Sequence, residues 1–153
     1  MKIRLLMLFF IVSLTGSAWA RLGETEEQLI ARYGDVLGHE HVGADAGHVA
    51  VDKLQFKKTG FNIEVTIFHG VSAQEDISNA QGDGMTAQEV KTLLDANTDG
   101  HAWTAVAGGQ YWKRDDGALA TFNGGFLRLQ AKDLMDAEAE AYKTAHARSL
   151  EGF

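Results

Sequence analysis

Between residues 54 and 72 apolar and polar positions alternate: from Phe61 the side chains Phe61, Ile63, Val65 and Ile67 interleave with Asn62, Glu64 and Thr66. A period of two is that of a strand with one face buried and the other wet. Thr59-Gly60 and His69-Gly70 fall where the chain must reverse, and Gly supplies the positive φ that tight hairpin turns demand. The stretch predicts strand, turn, strand, turn, strand, an antiparallel meander.

The pattern changes to a helical one on either side. Thr25 followed by Gln28 forms a capping box for a helix that starts there, places Leu29, Ile30 and Tyr33 on one face and stops at Gly34. Thr86 and Glu89 repeat the scheme, with Met85 placed to staple onto Val90 and with Val90, Leu93 and Leu94 turned inward. The two starts coincide at an offset of 61 residues, pairing Gly23 with Gly84, Thr25 with Thr86, Gln28 with Glu89 and Leu29 with Val90.

After the second helix, Asp116-Gly117 and Asn123-Gly124 separate apolar runs as hairpin turns do, so a second meander runs to about residue 131. Phe56 then matches Trp112, Gly60 matches Gly117 and Phe68 matches Phe122, at offsets of 56, 57 and 54. The expectation is an α+β protein of two helix-plus-antiparallel-meander units, about 22–79 and 84–132, forming a sheet with helices packed on one face; chance similarity between two ordinary capped helices is the alternative. A last helix over 133–150, within a C-terminal segment 133–153, carries its acids early and Lys143 and Arg148 late, in keeping with the helix dipole. Its stripe of Leu134, Ala137, Ala141 and Ala145 is thin, and suits weak docking or an acidic arm.

Residues 1–20 hold Lys2 and Arg4, an unbroken apolar run over 5–12, and a small-residue end, Ser17-Ala18-Trp19-Ala20. This is the layout of a secretory signal peptide with cleavage expected after Ala20. A single membrane anchor is the other possibility, but the apolar run falls short of the roughly 20 residues a spanning helix needs. With no Cys in the chain, neither a lipidated N-terminus nor a disulfide is available. The expected mature protein is exported to the periplasm or beyond, with no stable membrane insertion after cleavage. It has twelve basic against 21 acidic residues, a formal charge of −9, which repels nucleic acid.

The pattern Gly-x-Thr-x-x-Gln/Glu-aliphatic at residues 23–29 and 84–90, leading through a helix into a meander, resembles the SmpA/OmlA class of outer-membrane assembly lipoproteins. Two copies in tandem are similar to β-lactamase inhibitory protein, which has that unit twice over and lays a concave sheet on its target. The chain is also similar to small exported bacterial proteins. It departs from these families in having no lipidated Cys and no disulfides, and neither family's activity carries over.

Candidate chemistry is sparse. Asp95-x-Asn97-x-Asp99-Gly100 matches the first half of a Ca²⁺ loop, but the twelfth position is Val106 where a bidentate Glu should close the shell. Its plain alternative is a helix end with Asn97 or Gly100 in the left-handed conformation. His39, His41 and His48, with Asp45 between, have spacing compatible with a zinc or copper site, or are solvated loop histidines. No nucleophile or phosphate motif is present, and no cofactor is implied.

On the strand reading Phe56, Phe61, Trp112, Leu127 and Leu129 face the core, while Phe68, Tyr111 and Phe126 share a side with Lys53, Lys57, Glu64, Lys113 and Arg128. Aromatic and Arg side chains on a polar face are those that anchor interfaces. The expectation is a non-catalytic module that binds a protein partner or associates with the envelope through Phe68, Tyr111, Phe126 and Arg128. Partial burial of these aromatics under the C-terminal helix or the 102–109 loop is its alternative. The rival function is a small secreted metal-dependent hydrolase or metal-binding protein using the histidine loop.

Overall fold

The structure is a computed structural model that describes residues 21–45, 47–106 and 108–150; side chains are described to residue 147, and the expected signal peptide lies outside the described residues. In chain order the elements are α1 (Glu26–Tyr33), β1 (Gly38–Val42), β2 (Val51–Lys58), β3 (Phe61–Phe68), β4 (Val71–Asn79), α2 (Ala87–Ala96), β5 (Trp103–Ala105), β6 (Tyr111–Arg114), β7 (Leu119–Phe122), β8 (Phe126–Gln130) and α3 (Lys132–Leu150). All eight strands form one antiparallel sheet in the order β1-β2-β3-β4-β8-β7-β6-β5. Each half is a helix followed by four strands, and the halves join through their last strands, β4 and β8. The protein is α+β, as the alternation and capping patterns predict.

Both expected capping boxes form: Thr25 and Gln28 at α1, and Thr86 and Glu89 at α2, each exchange side-chain and backbone hydrogen bonds. Leu29 and Tyr33 of α1, and Val90, Leu93 and Leu94 of α2, are buried against one face of the sheet with Leu54, Phe56, Phe61, Ile63, Val65, Ile77, Leu127 and Leu129. Ile30 differs from expectation: it is 39% exposed, because a step of about 100° per residue takes it off the stripe that Leu29 and Tyr33 define. Met85 and Val90 are both buried at the start of α2, as a staple requires.

The second strand of each half ends in a cation that serves the helix of that half. The Lys58 ammonium donates to the Arg32 carbonyl in the last turn of α1. At the matching offset of 56, the Arg114 guanidinium donates to the carbonyl of Asn97, the C-cap of α2, at 2.9 Å. Positive charge at a helix C-terminus meets both the unpaired carbonyls and the negative end of the dipole. Arg114 is nearly fully buried, and its other donors reach Asp116 at 2.9 and 2.6 Å.

α3 lies on the opposite face. Leu134 and Ala137 cover Phe68 and Ala73, with Val49 and Val51, in a second small cluster. A register shift between Thr66 and Ile67 opens this cluster: Ala73 is the extra residue of β4, and beyond it Phe68 pairs with Val71 on the α3 side. The expected match of Phe68 with Phe122 fails, since Phe122 packs toward the α1/α2 core while Phe68 packs under α3. Phe56 with Trp112, and Gly60 with Gly117, do occupy equivalent places on the second strands and the turns that follow.

At the two predicted reversals, Thr59 and Gly60 have φ of 49° and 84°, and His69 and Gly70 have 52° and 83°. Both central residues are left-handed, as in the type I′ turns that suit twisted hairpins. Thr59 is β-branched in a region that disfavours it. Thr59→Gly should raise stability by about 1 kcal/mol, whereas Gly60→Ala should lower it comparably; thermal melts of both variants measure the difference.

Candidate functional site

The face that α3 leaves uncovered is built from the outward positions of the strands. Following the registers, Tyr111 pairs with Thr121, Thr121 with Arg128, Arg128 with Asp76, Asp76 with Glu64 and Glu64 with Gln55, one continuous row across both halves. Strand neighbours on one face stand about 5 Å apart, so the row sets these side chains side by side. The middle of the row is an ion pair with two parallel bonds: Arg128 Nε donates to Asp76 Oδ1 at 2.7 Å, and Nη2 to Oδ2 at 2.8 Å. That contact raises the Arg128 pKa above its already high ordinary value.

Other partners fix the surroundings. Gln74 Nε2 donates to Asp76 Oδ2 at 2.9 Å, and Gln130 Nε2 donates to Gln74 Oε1 at 2.8 Å. Lys53 Nζ meets Glu64 Oε1 at 3.0 Å, and the Arg128 guanidinium lies 5.4 Å from the centre of the Phe126 ring. A concavity of about 640 Å³ opens over the join of the two halves, lined by Asn62, Glu64, Asp76, Ser78, Phe126 and Arg128 among others. Polar groups held in place by one another around an apolar ring can recognise a chain that offers both hydrogen-bonding groups and an apolar side chain.

Of the four residues expected to form a binding face, the structure brings Phe126 and Arg128 together in the concavity. Tyr111, half-buried, stands at the far end of the same row. Phe68 is only 7% exposed beneath Leu134, so a partner cannot reach it while α3 is docked. Asp76, missed in the sequence, is the residue that holds Arg128 in place. Its signal is obscured because β4 carries three polar residues in a row, Gln74-Glu75-Asp76, where alternation calls for an apolar inward residue.

The inward member of that triplet is Glu75, which is fully buried. Tyr33 Oη donates to its Oε2 at 3.0 Å, while Oε1 has no hydrogen-bond partner. Burial pushes the carboxyl up to about 7, against the pull of Tyr33, Arg32 and the Arg21 backbone amide. Burial and the neighbouring carboxylate raise the Tyr33 phenol in turn.

The metal candidates do not converge. His39 and His41 point the same way from β1, as their spacing requires, but onto Asp52: His41 Nδ1 is 2.8 Å and His39 Nε2 is 3.6 Å from Asp52 Oδ1. The His41 contact lowers the Asp52 carboxyl below its ordinary range. His48 instead pairs with Asp45 by backbone hydrogen bonds, in the loop facing α3. In the Ca²⁺-like stretch, Asp95 is engaged by Lys91 at 2.5 Å, and Asn97 is buried with its Oδ1 3.3 Å from the Arg114 guanidinium, where a cation would be repelled. Asn97 has φ of −102°, whereas Asp99 and Gly100 take the left-handed conformation, at 46° and 81°. Among the described residues no three His, Cys, Asp or Glu side chains are arranged to hold a metal ion.

No family model and no curated protein matches the chain. Among solved structures it is similar to a cysteine-rich secretory protein from Staphylococcus aureus subsp. aureus Mu50, with 11% identity and a TM-score of 0.42. The match covers 74% of this chain and 46% of that one, so this chain spans less than half of that protein's length.

The row makes unequal demands on its charges. Asp76 is 19% exposed and loses two bonds if Arg128 is removed, while Lys53 and Glu64 are each about one-third exposed. Arg128→Ala should cost about 2 kcal/mol, and Lys53→Ala no more than about 0.5 kcal/mol, read as shifts in denaturant midpoint.

Proposed function

We propose that the chain is an exported, non-catalytic module that docks a protein partner, or an envelope component of protein nature, on its open sheet face. The observation that carries this reading is the concavity over the β4–β8 join, in which Phe126 and Arg128 of the second half stand against polar side chains of the first, with Arg128 held by Asp76. An aromatic ring and an arginine fixed in advance lose little conformational entropy on binding, which is the property of residues that dominate interface energies. Export rests on the layout of residues 1–20. Among the described residues no helix is long and apolar enough to cross a membrane. The resemblance to tandem units that present a concave sheet points the same way.

The test is capture from the envelope fraction of the exporting cell with the immobilised mature chain. Tyr111→Ala/Phe126→Ala should lose the specifically bound protein, with affinity reduced at least about tenfold, while Lys91→Ala on the exposed side of α2 should retain it. Equal recovery by wild type and the double variant would remove the face from consideration as an interface.

A further inference from the structure

The segment that leads into α1 is fastened to β4. Gly23 N donates to the Ser72 carbonyl at 2.7 Å, Ser72 N donates to the Glu24 carbonyl at 2.7 Å, and Glu24 N donates to Ser72 Oγ at 3.0 Å. Ser72 Oγ donates in turn to the Arg21 carbonyl at 2.9 Å, and both Ser72 and Leu22 are buried. Arg21 is thereby held over the interior, with its backbone nitrogen acting on the Glu75 carboxylate as a donor. Glu75 Oε1, fully buried, has no partner.

A buried carboxylate with an empty acceptor is costly unless a positive charge answers it. Of the cations near it, Arg32 pulls the Glu75 carboxyl down but is shared with Glu24, and the Arg21 guanidinium has its Nε buried without a hydrogen-bond partner. From α1 come Tyr33, which is neutral, and Arg32; from the N-terminal segment comes Glu24, which takes the Arg32 guanidinium in a two-pronged ion pair. The flanking strand positions, Val65 on β3 and Leu129 on β8, are apolar and fully buried. The Arg21 backbone nitrogen, which already acts on the Glu75 carboxyl as a donor, is the atom that the expected cleavage after Ala20 would free.

We propose that Glu75 is a built acceptor for the α-ammonium of Arg21, so that removal of residues 1–20 creates a buried ion pair between the new N-terminus and β4. The proposal rests on the export reading for the cleavage itself, and on the geometry of Ser72, Arg21 and Glu75 for the pairing. Hydrolysis of the Ala20–Arg21 amide by an export peptidase consumes one water and leaves a carboxylate on Ala20 and an ammonium on Arg21. The ammonium stays where the amide nitrogen was, because Ser72 holds the Arg21 carbonyl.

The two forms respond oppositely to pH. While Arg21 is amide-linked, Glu75 binds its proton more tightly folded than unfolded, so stability declines as pH rises from about 4.5 through about 7. Once the amine is free and paired, its folded pKa rises above the ordinary value of about 8 and that of Glu75 falls, so the pair's stability is fully present from about 4.5 to about 8 and is lost as pH falls through the folded Glu75 pKa or rises through that of the amine.

The experiment compares a chain that begins at Arg21, made by scarless cleavage of a fusion, with one that retains Trp19 and Ala20, each with and without Glu75→Gln. At pH 7 the free-amine chain should melt higher by on the order of 5 °C, and Glu75→Gln should abolish the difference. Arg21→Ala, which keeps an α-ammonium but removes the guanidinium, should preserve it. Equal melts of the two wild-type chains, or a difference indifferent to Glu75→Gln, would overturn the pairing. If the Gln variant does not fold, amine-reactive labelling of the wild-type chain at pH 7 decides: the folded α-amine should react at least about tenfold more slowly than the unfolded one, and equal rates overturn the proposal. Intact mass of the exported protein separately reads the cleavage, and an N-terminus other than Arg21 overturns the maturation step without bearing on the pairing measured in the prepared chains.

Discussion

The antiparallel pairing of β4 with β8 is the constraint on which the remaining structure depends. Five cross-strand pairs, from Gln74 with Gln130 to Ser78 with Phe126, close what would otherwise be the exposed edge of each meander. The same pairs sort side chains to two faces. Glu75, Ile77, Leu127 and Leu129 go inward and merge the cores of the two halves, while Asp76, Arg128 and Phe126 go outward and make the concavity. A slip of one residue by β8 would turn Arg128 inward, away from Asp76, and expose Leu127 and Leu129. The ion pair and the core thus specify the same register.

Much of this was legible in the sequence where local rules act alone. The capping boxes of Thr25 and Thr86, the alternation of β3, and the turns at Thr59-Gly60 and His69-Gly70 each depend on a few neighbouring residues, and each formed as read. What escaped was decided by tertiary context. β4 does not alternate because a buried glutamate occupies an inward position, β5 is only three residues long, and β1 is largely exposed and rich in His and Glu. The register shift that adds Ala73 to the cluster under α3 has no sequence signature of its own. The candidate site was read as three aromatics and Arg128, but the carboxylate that holds Arg128, Asp76, became visible only when β4 was placed beside β8.

The two halves share their frame and differ in their special residues. Both use a Thr cap with an amide or carboxylate partner, and both end their second strand in a cation that reaches the helix C-terminus, Lys58 in one and Arg114 in the other. Only the first half adds an N-terminal segment stitched to Ser72 and a buried acid on its last strand. Only the second places an arginine outward beside an aromatic on its last strand. Pairing β4 with β8 relieves each unit of having to cover its own sheet edge. The polar groups of the junction are concentrated on those two strands.

Residue-level amide hydrogen exchange of the mature chain tests the central claim most directly, because protection reports the free energy of opening each hydrogen bond. If the β4–β8 join makes one cooperative sheet, amides of Ile77, Leu127 and Leu129 should be among the slowest to exchange, with rates rising outward toward β1 and β5. Exchange that is fastest at the β4–β8 pairs, with each half protected around its own centre, would contradict it: the halves would then be separate bodies, and the concavity between them would have no fixed shape.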